Sequence, residues 1–127
     1  MEVPKTLAID YGTVRVGLAV SAYTLADPLV TILNDDQLFI KISQICQANQ
    51  VDLVLVGISE NEMEKKTRIF AKELENHISV PIEFTDETLS SYTVHNKLKT
   101  AKKSKRSGDI DHFAAAEFLQ DWLDEKY

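Results

Sequence analysis

At 127 residues, with 44% hydrophobic and 27% charged residues and only four glycines and three prolines, the chain has the composition of one globular domain, residues 1–127, with no room for a second catalytic domain. Its formal charge of −6 excludes a surface that is basic throughout and attracts nucleic acid everywhere. No run approaches the roughly twenty apolar residues of a spanning helix, Met1 to Lys5 lacks signal-peptide character, and the single Cys46 precludes an intrachain disulfide, so a cytoplasmic protein without membrane contact is expected.

Residues 5 to 11 read as a first strand, in which Leu7, Ala8 and Ile9 climb to Asp10 before Gly12-Thr13 supply turn chemistry. Val14, Val16, Leu18 and Val20 alternate with Arg15, Gly17, Ala19 and Ser21, the pattern of a second strand paired with the first through that turn. Leu29 to Leu33, after Pro28, form a third strand. With Asp35 or Asp36 as cap, Leu38, Ile42, Ile45 and Cys46 recur at helical spacing and predict a helix to about Asn49, with Cys46 as a small core residue. Val51 to Ile58 is almost continuously apolar, which suits a central parallel strand covered on both faces.

Glu60 to His77 carries Met63, Phe70, Ala71 and Leu74 on one stripe and reads as a second helix. Val80 to Phe84 is a short strand, followed by Thr85-Asp86-Glu87 and a helical segment from Thr88 to Lys99. Five of the fourteen basic residues fall between Lys99 and Arg106, in a loop fit to touch phosphates or simply to be solvated. The final helix starts near Asp109 as its cap and sets Asp111, Ala115, Phe118 and Trp122 on one face, the acid inward on the first turn.

Asp10 ends a buried strand on a carboxylate, which is costly without a cation and aims the acid at whatever binds at the rim. Turn chemistry alone also favours Asp and Gly there. Asp86 and Glu87 stand near a helix start, where the helix dipole favours negative charge, and which of the two turns inward is open. His112 is a secondary candidate as ligand or proton shuttle, or an ordinary packed side chain.

Three antiparallel strands followed by helix, strand, helix, strand and closing helices is the order of an RNase H-like fold, an α/β architecture whose mixed five-stranded sheet is flanked by helices. Over essentially its whole length the chain resembles the YqgF/RuvX family, proteins described as proposed Holliday-junction resolvases and as pre-16S rRNA processing nucleases. The resemblance rests on Ala8-Ile9-Asp10-Tyr11-Gly12-Thr13 running through Val14-Arg15-Val16-Gly17-Leu18-Ala19-Val20-Ser21, on Val56-Gly57, on Asp86-Glu87 before Leu89-Ser90-Ser91, and on Asp111 before Ala114-Ala115-Ala116. Two departures stand out. Ile58-Ser59-Glu60-Asn61-Glu62-Met63-Glu64 replaces a loop that usually holds Leu-Pro and Asn-Met-Asp-Gly, and Thr88 stands where the family has an arginine, removing a fixed cation.

The resemblance implies that the strand and helix ends bearing Asp10, Glu87 and Asp111 converge, with Asp86 as understudy for Glu87. Three acids brought together repel one another unless a cation intervenes, and Mg²⁺, or Mn²⁺ in its place, takes oxygen ligands. Thr13 and Arg15 are candidate phosphate contacts, and Lys102, Lys103, Lys105 and Arg106 would draw in flanking nucleic acid. The function implied is metal-dependent endonucleolytic hydrolysis in structured nucleic acid, with processing of the 5′ end of pre-16S rRNA ahead of Holliday-junction resolution in DNA. Ribosomal precursor particles are then partners, and the chain acts as a monomer or homodimer. A catalytically silent nucleic-acid or ribosome-assembly module is the alternative of another class. An actin-like or sugar-kinase-like phosphotransferase, suggested by Asp-x-Gly-Thr, fits poorly because two such domains must close on the nucleotide.

Overall fold

The computed structural model describes residues 3–59, 62–86 and 107–127, with side chains from His112 onward in the last stretch. The elements are β1 (Thr6–Asp10), β2 (Arg15–Ala22), β3 (Leu25–Leu33), α1 (Leu38–Ala48), β4 (Leu53–Ile58), α2 (Met63–Leu74), β5 (Ile82–Asp86) and α3 (Ser107–Lys126). The five strands form one sheet in the order β3-β2-β1-β4-β5. β2 is antiparallel to both β1 and β3, while β4 is parallel to both β1 and β5. This is the mixed sheet expected from the sequence.

Side chains alternate between the two faces of a strand, so each face has its own core. Leu7, Ile9, Val16, Leu18, Val54 and Val56 pack against Leu38, Ile42 and Cys46 of α1 and Phe70, Ala71 and Leu74 of α2. On the other face Ala8, Ala19, Leu53 and Leu55 meet Ala115, Phe118, Leu119, Trp122 and Leu123 of α3. Cys46 is buried in the first of these cores, and that burial pushes its thiol pKa up.

Several element bounds differ from the sequence reading. β3 begins four residues early and runs through Pro28, which an edge strand tolerates because a missing N–H breaks no inner ladder. Leu18 lies opposite Val30 and Ala19 opposite Pro28, so Leu29 is the extra residue of a bulge. The early part of β3 is held from far along the chain. Gln120 on α3 accepts from the Ala26 amide at 2.9 Å and donates to the Thr24 carbonyl at 2.8 Å.

α1 starts at Leu38, because Asp35 spends its side chain accepting from the Gln37 amide in a local turn rather than capping. α2 is shorter at both ends than the span from Glu60 to His77. β5 is shifted two residues on, from Val80–Phe84 to Ile82–Asp86, by its pairing with β4, and it therefore takes in Asp86. α3 begins at Ser107, so Asp109 lies within the helix and is not its cap. The helix expected over Thr88 to Lys99 and the basic loop lie outside the described residues.

Candidate functional site

β1, β4 and β5 run parallel and end at the same edge of the sheet, the edge at which open α/β sheets collect ligands. Asp10 is the last residue of β1 and half-buried. Alternation from Ala8 places it on the face covered by α3. Laterally, Asp10 is opposite Gly17 and Gly17 is opposite Thr31. On the other side, one step beyond the pair Ile9 and Val56, comes Gly57, which is opposite Thr85. The row Thr31, Gly17, Asp10, Gly57, Thr85 thus crosses the α3 face with the carboxylate between two residues that have no side chain.

The row is tied to the helix at its β3 end. Thr31 Oγ1 and His112 Nδ1 form a hydrogen bond of 2.7 Å across 81 positions of sequence. His112 also packs its ring against Phe113. Arg15, two residues before Gly17 on the same strand, shares the α3 face at the rim.

The turn after Asp10 is braced from outside the hairpin. The Asn34 side-chain amide donates to the Gly12 carbonyl at 2.8 Å, and the Asn34 backbone amide donates to Val14 at 2.9 Å. A Cβ at Gly12 would collide with the Arg15 carbonyl oxygen, so this position requires glycine. The Tyr11 ring stacks on Phe70 of α2 at 4.4 Å between centroids. Thr13 is exposed at the tip and Arg15 half-buried at the start of β2, both within reach of a backbone that approaches the edge.

Asp86 ends β5 opposite Ile58, one residue past Thr85, and therefore shares the α2 face with Phe84. It borders a hollow of about 280 Å³ lined also by Ile58, Glu64, Arg68, Phe84 and Thr85. The strands thus carry Asp10 and Asp86 to opposite faces. Glu87, Lys102, Lys103, Lys105 and Arg106 lie outside the described residues. So does the side chain of Asp111, whose backbone is in α3 one residue before His112. Among the described residues no group of three His, Cys, Asp or Glu side chains is placed to hold a metal ion.

Sequence reasoning used Gly17 and Gly57 only as parts of the family motifs and passed over Thr31. A glycine within a strand pattern often marks a close approach by a ligand or backbone, and that signal was present at Gly17 and Gly57. The Thr31–His112 pair had no local signal, being made by the fold. Chemically, a half-buried carboxylate flanked in its row by two glycines suits one oxygen ligand of Mg²⁺, which keeps several positions for water and phosphate oxygens.

Comparison with solved structures identifies the class of fold. Thermus thermophilus RuvC matches with a TM-score of 0.57 at 14% identity, over 96% of this chain and 95% of that one. The Fowlpox virus resolvase, solved in complex with substrate Holliday junction DNA, matches with a TM-score of 0.58 at 12% identity, over 96% and 98% of the two chains. This is the RuvC-like form of the RNase H-like fold. Within it the chain belongs to the RuvX (YqgF) family, whose profile, described as Holliday junction resolvase, matches residues 4–125. A protein of Sulfurihydrogenibium sp. (strain YO3AOP1) named "Putative pre-16S rRNA nuclease" is 33% identical over 130 residues, covering 94% of this chain and 90% of its own length. A Synechocystis sp. (strain ATCC 27184 / PCC 6803 / Kazusa) protein of the same name is 33% identical, covering 93% and 86%.

Proposed function

We propose that residues 1–127 form a single nuclease domain, a cytoplasmic Mg²⁺-dependent endonuclease that hydrolyses phosphodiester bonds in structured nucleic acid, with the 5′ end of pre-16S rRNA as its substrate. The observation that carries this reading is Asp10 at the end of β1, between Gly17 and Gly57 in its row and on the face turned to α3. The names of the relatives favour the RNA substrate.

Asp10, Glu87 and Asp111 are the residues that would hold Mg²⁺, or Mn²⁺ as substitute, with Asp86 set apart on the other face. When bound, the ion supplies an acidified water and charge neutralisation for in-line attack at phosphorus. The chain's own part is placement. The braced turn fixes the Asp10 carboxylate, and the absence of side chains at Gly17 and Gly57 favours the approach of a phosphate with its flanking sugars. Arg15 and Thr13 hold the neighbouring phosphates, as donors to phosphate oxygens fix register without reading sequence. Lys102, Lys103, Lys105 and Arg106 attract the flanking strand. Neutralising these four should weaken binding to every sequence alike and flatten its salt dependence, and unchanged affinity and slope would remove them from the interface.

The description of the family profile favours a second reading, resolution of four-way DNA junctions, which asks for a symmetric dimer. The deciding experiment is Mg²⁺- or Mn²⁺-dependent cleavage of a labelled precursor rRNA end and a four-way DNA junction, with Asp10→Asn as control. RNA cutting lost in the variant supports processing, and paired symmetric cuts in the junction support resolution. Metal-dependent cutting of neither, by folded protein that still binds, would leave a silent binding module.

A further inference from the structure

The row that holds Asp10 ends on a side-chain pair that the proposed chemistry does not use. Thr31 is lateral to Gly17 and Gly17 to Asp10, all three on the face turned to α3. Thr31 therefore stands two strand spacings from Asp10, about 10 Å between backbones. Gly17, between them, contributes no side chain. His112 meets this row from α3, its Nδ1 2.7 Å from Thr31 Oγ1. Both residues are half-buried, and the neighbouring Phe113 ring, 4.7 Å away between centroids, restrains the imidazole. The other ring nitrogen, Nε2, has no hydrogen-bond partner among the described residues.

What Nε2 can bind follows from the tie to Thr31. A hydroxyl either donates to Nδ1 or accepts from it, and Nε2 of the uncharged ring is a donor in the first case and an acceptor in the second. A partner that is itself both donor and acceptor satisfies Nε2 in either arrangement. A ribose 2′-hydroxyl is such a group, whereas a phosphate oxygen only accepts and a deoxyribose offers nothing at that carbon. The side chain on this face suited to phosphate is Arg15, at the rim.

Position agrees with chemistry, because His112 and Asp10 belong to the same face and the same row. A strand whose backbone meets Asp10 and continues toward β3 brings its sugars to the Thr31 end of that row. We propose that His112, held by Thr31, reads a ribose 2′-hydroxyl of the strand bound at Asp10 and so makes the site prefer RNA to DNA. The assignment rests on the nucleic-acid reading of that edge. It adds a sugar-specific contact where phosphate contacts alone would accept either polymer.

The test is fluorescence anisotropy with three labelled strands of one sequence, using Asp10→Asn protein in Mg²⁺ so that nothing is cut. The strands are RNA, RNA with fluorine in place of every 2′-hydroxyl, and DNA. The RNA should bind roughly tenfold tighter than the other two. The fluorinated strand keeps an RNA-like sugar shape, so a preference for RNA over it reports the hydroxyl itself. His112→Phe keeps a ring beside Phe113 and removes both nitrogens, and it should erase the preference while leaving affinity for DNA unchanged. Thr31→Val frees the imidazole and should narrow the preference to about threefold. Melting curves establish that each variant is folded, and the near-isosteric Thr31→Val decides alone if His112→Phe is not. Equal affinity for RNA and its fluorinated form, or a preference that survives the substitutions, overturns the assignment. Uniform weakening of all three strands by His112→Phe overturns it too and makes the pair a structural tether. Cleavage by wild-type protein is scored separately, so a His112-dependent RNA preference without cutting refutes the nuclease and keeps the contact, and cutting without that preference does the reverse.

Discussion

On the face turned to α1 and α2 the sheet presents Leu7, Ile9, Val16, Leu18, Val54 and Val56, whereas the face turned to α3 presents Ala8, Gly17, Ala19, Leu53, Leu55 and Gly57. In the first case the strands supply the bulk. In the second the helix does much of it, through Phe118, Leu119, Trp122 and Leu123. Branched side chains on the first face fill the space up to the strand ends, and Tyr11 seals that end by stacking on Phe70. On the second face the last row sets Asp10 between Gly17 and Gly57. Under the proposed function, one sheet separates cohesion from chemistry by face rather than by domain.

The largest expected effect lies in the two carboxylates that end β1 and β5. Asp10→Asn should lower cleavage by about 10²–10³-fold, the range for loss of a charge-stabilising group in a reaction site, with an unchanged melting temperature. Asp86→Asn, on the opposite face, should lower it less than about threefold. Equal losses in a parallel cleavage assay would end the division of labour between faces.

Next come the two cores. Phe118→Ala should destabilise by about 3–5 kcal/mol and Ile42→Ala by about 2–5 kcal/mol, read from urea unfolding. Only the Phe118 variant should also lose activity in the protein that remains folded, since α3 carries His112 and the Asp111 backbone on the face of the sheet that bears Asp10. A smaller change, Thr31→Val, removes the hydrogen bond to His112 for about 1 kcal/mol and should lower kcat more than it raises KM. A loss confined to stability would make the pair a simple tether.

The smallest effect concerns Cys46. Its thiol pKa is raised by burial in the fold, so the stabilisation is fully present below the ordinary thiol pKa and declines as pH rises past it, where the unfolded chain ionises first. Unfolding free energy should therefore fall on the alkaline side, and Cys46→Ala should flatten that fall.

Much of this was legible locally. The alternation from Val14 to Val20 and the unbroken apolar run before Gly57 gave β2 and β4 their places, and an acid at the end of an apolar strand pointed to Asp10. What escaped was decided by contacts distant in sequence. β3 reaches back to Leu25 because Gln120 holds it, and no pattern near Pro28 announces a helix 94 residues away. The face that Asp86 takes at the end of β5 was a matter of register against β4. Gly17 and Gly57 stood within the family motifs, but their alignment beside Asp10 came only with the sheet register.

The Gln120 clasp has a consequence for how the protein comes into being. A side chain on α3 completes the start of β3, and α3 covers the face of a hairpin made more than eighty residues earlier. During synthesis the β1–β2–β3 meander must therefore wait, one side bare, for its cover to emerge. Such long-range closure slows folding and exposes apolar surface meanwhile. Pro28 and the bulge at Leu29 blunt the outer strand during that interval, so the same irregularities that obscured β3 in the sequence guard the nascent chain against sticking to its neighbours.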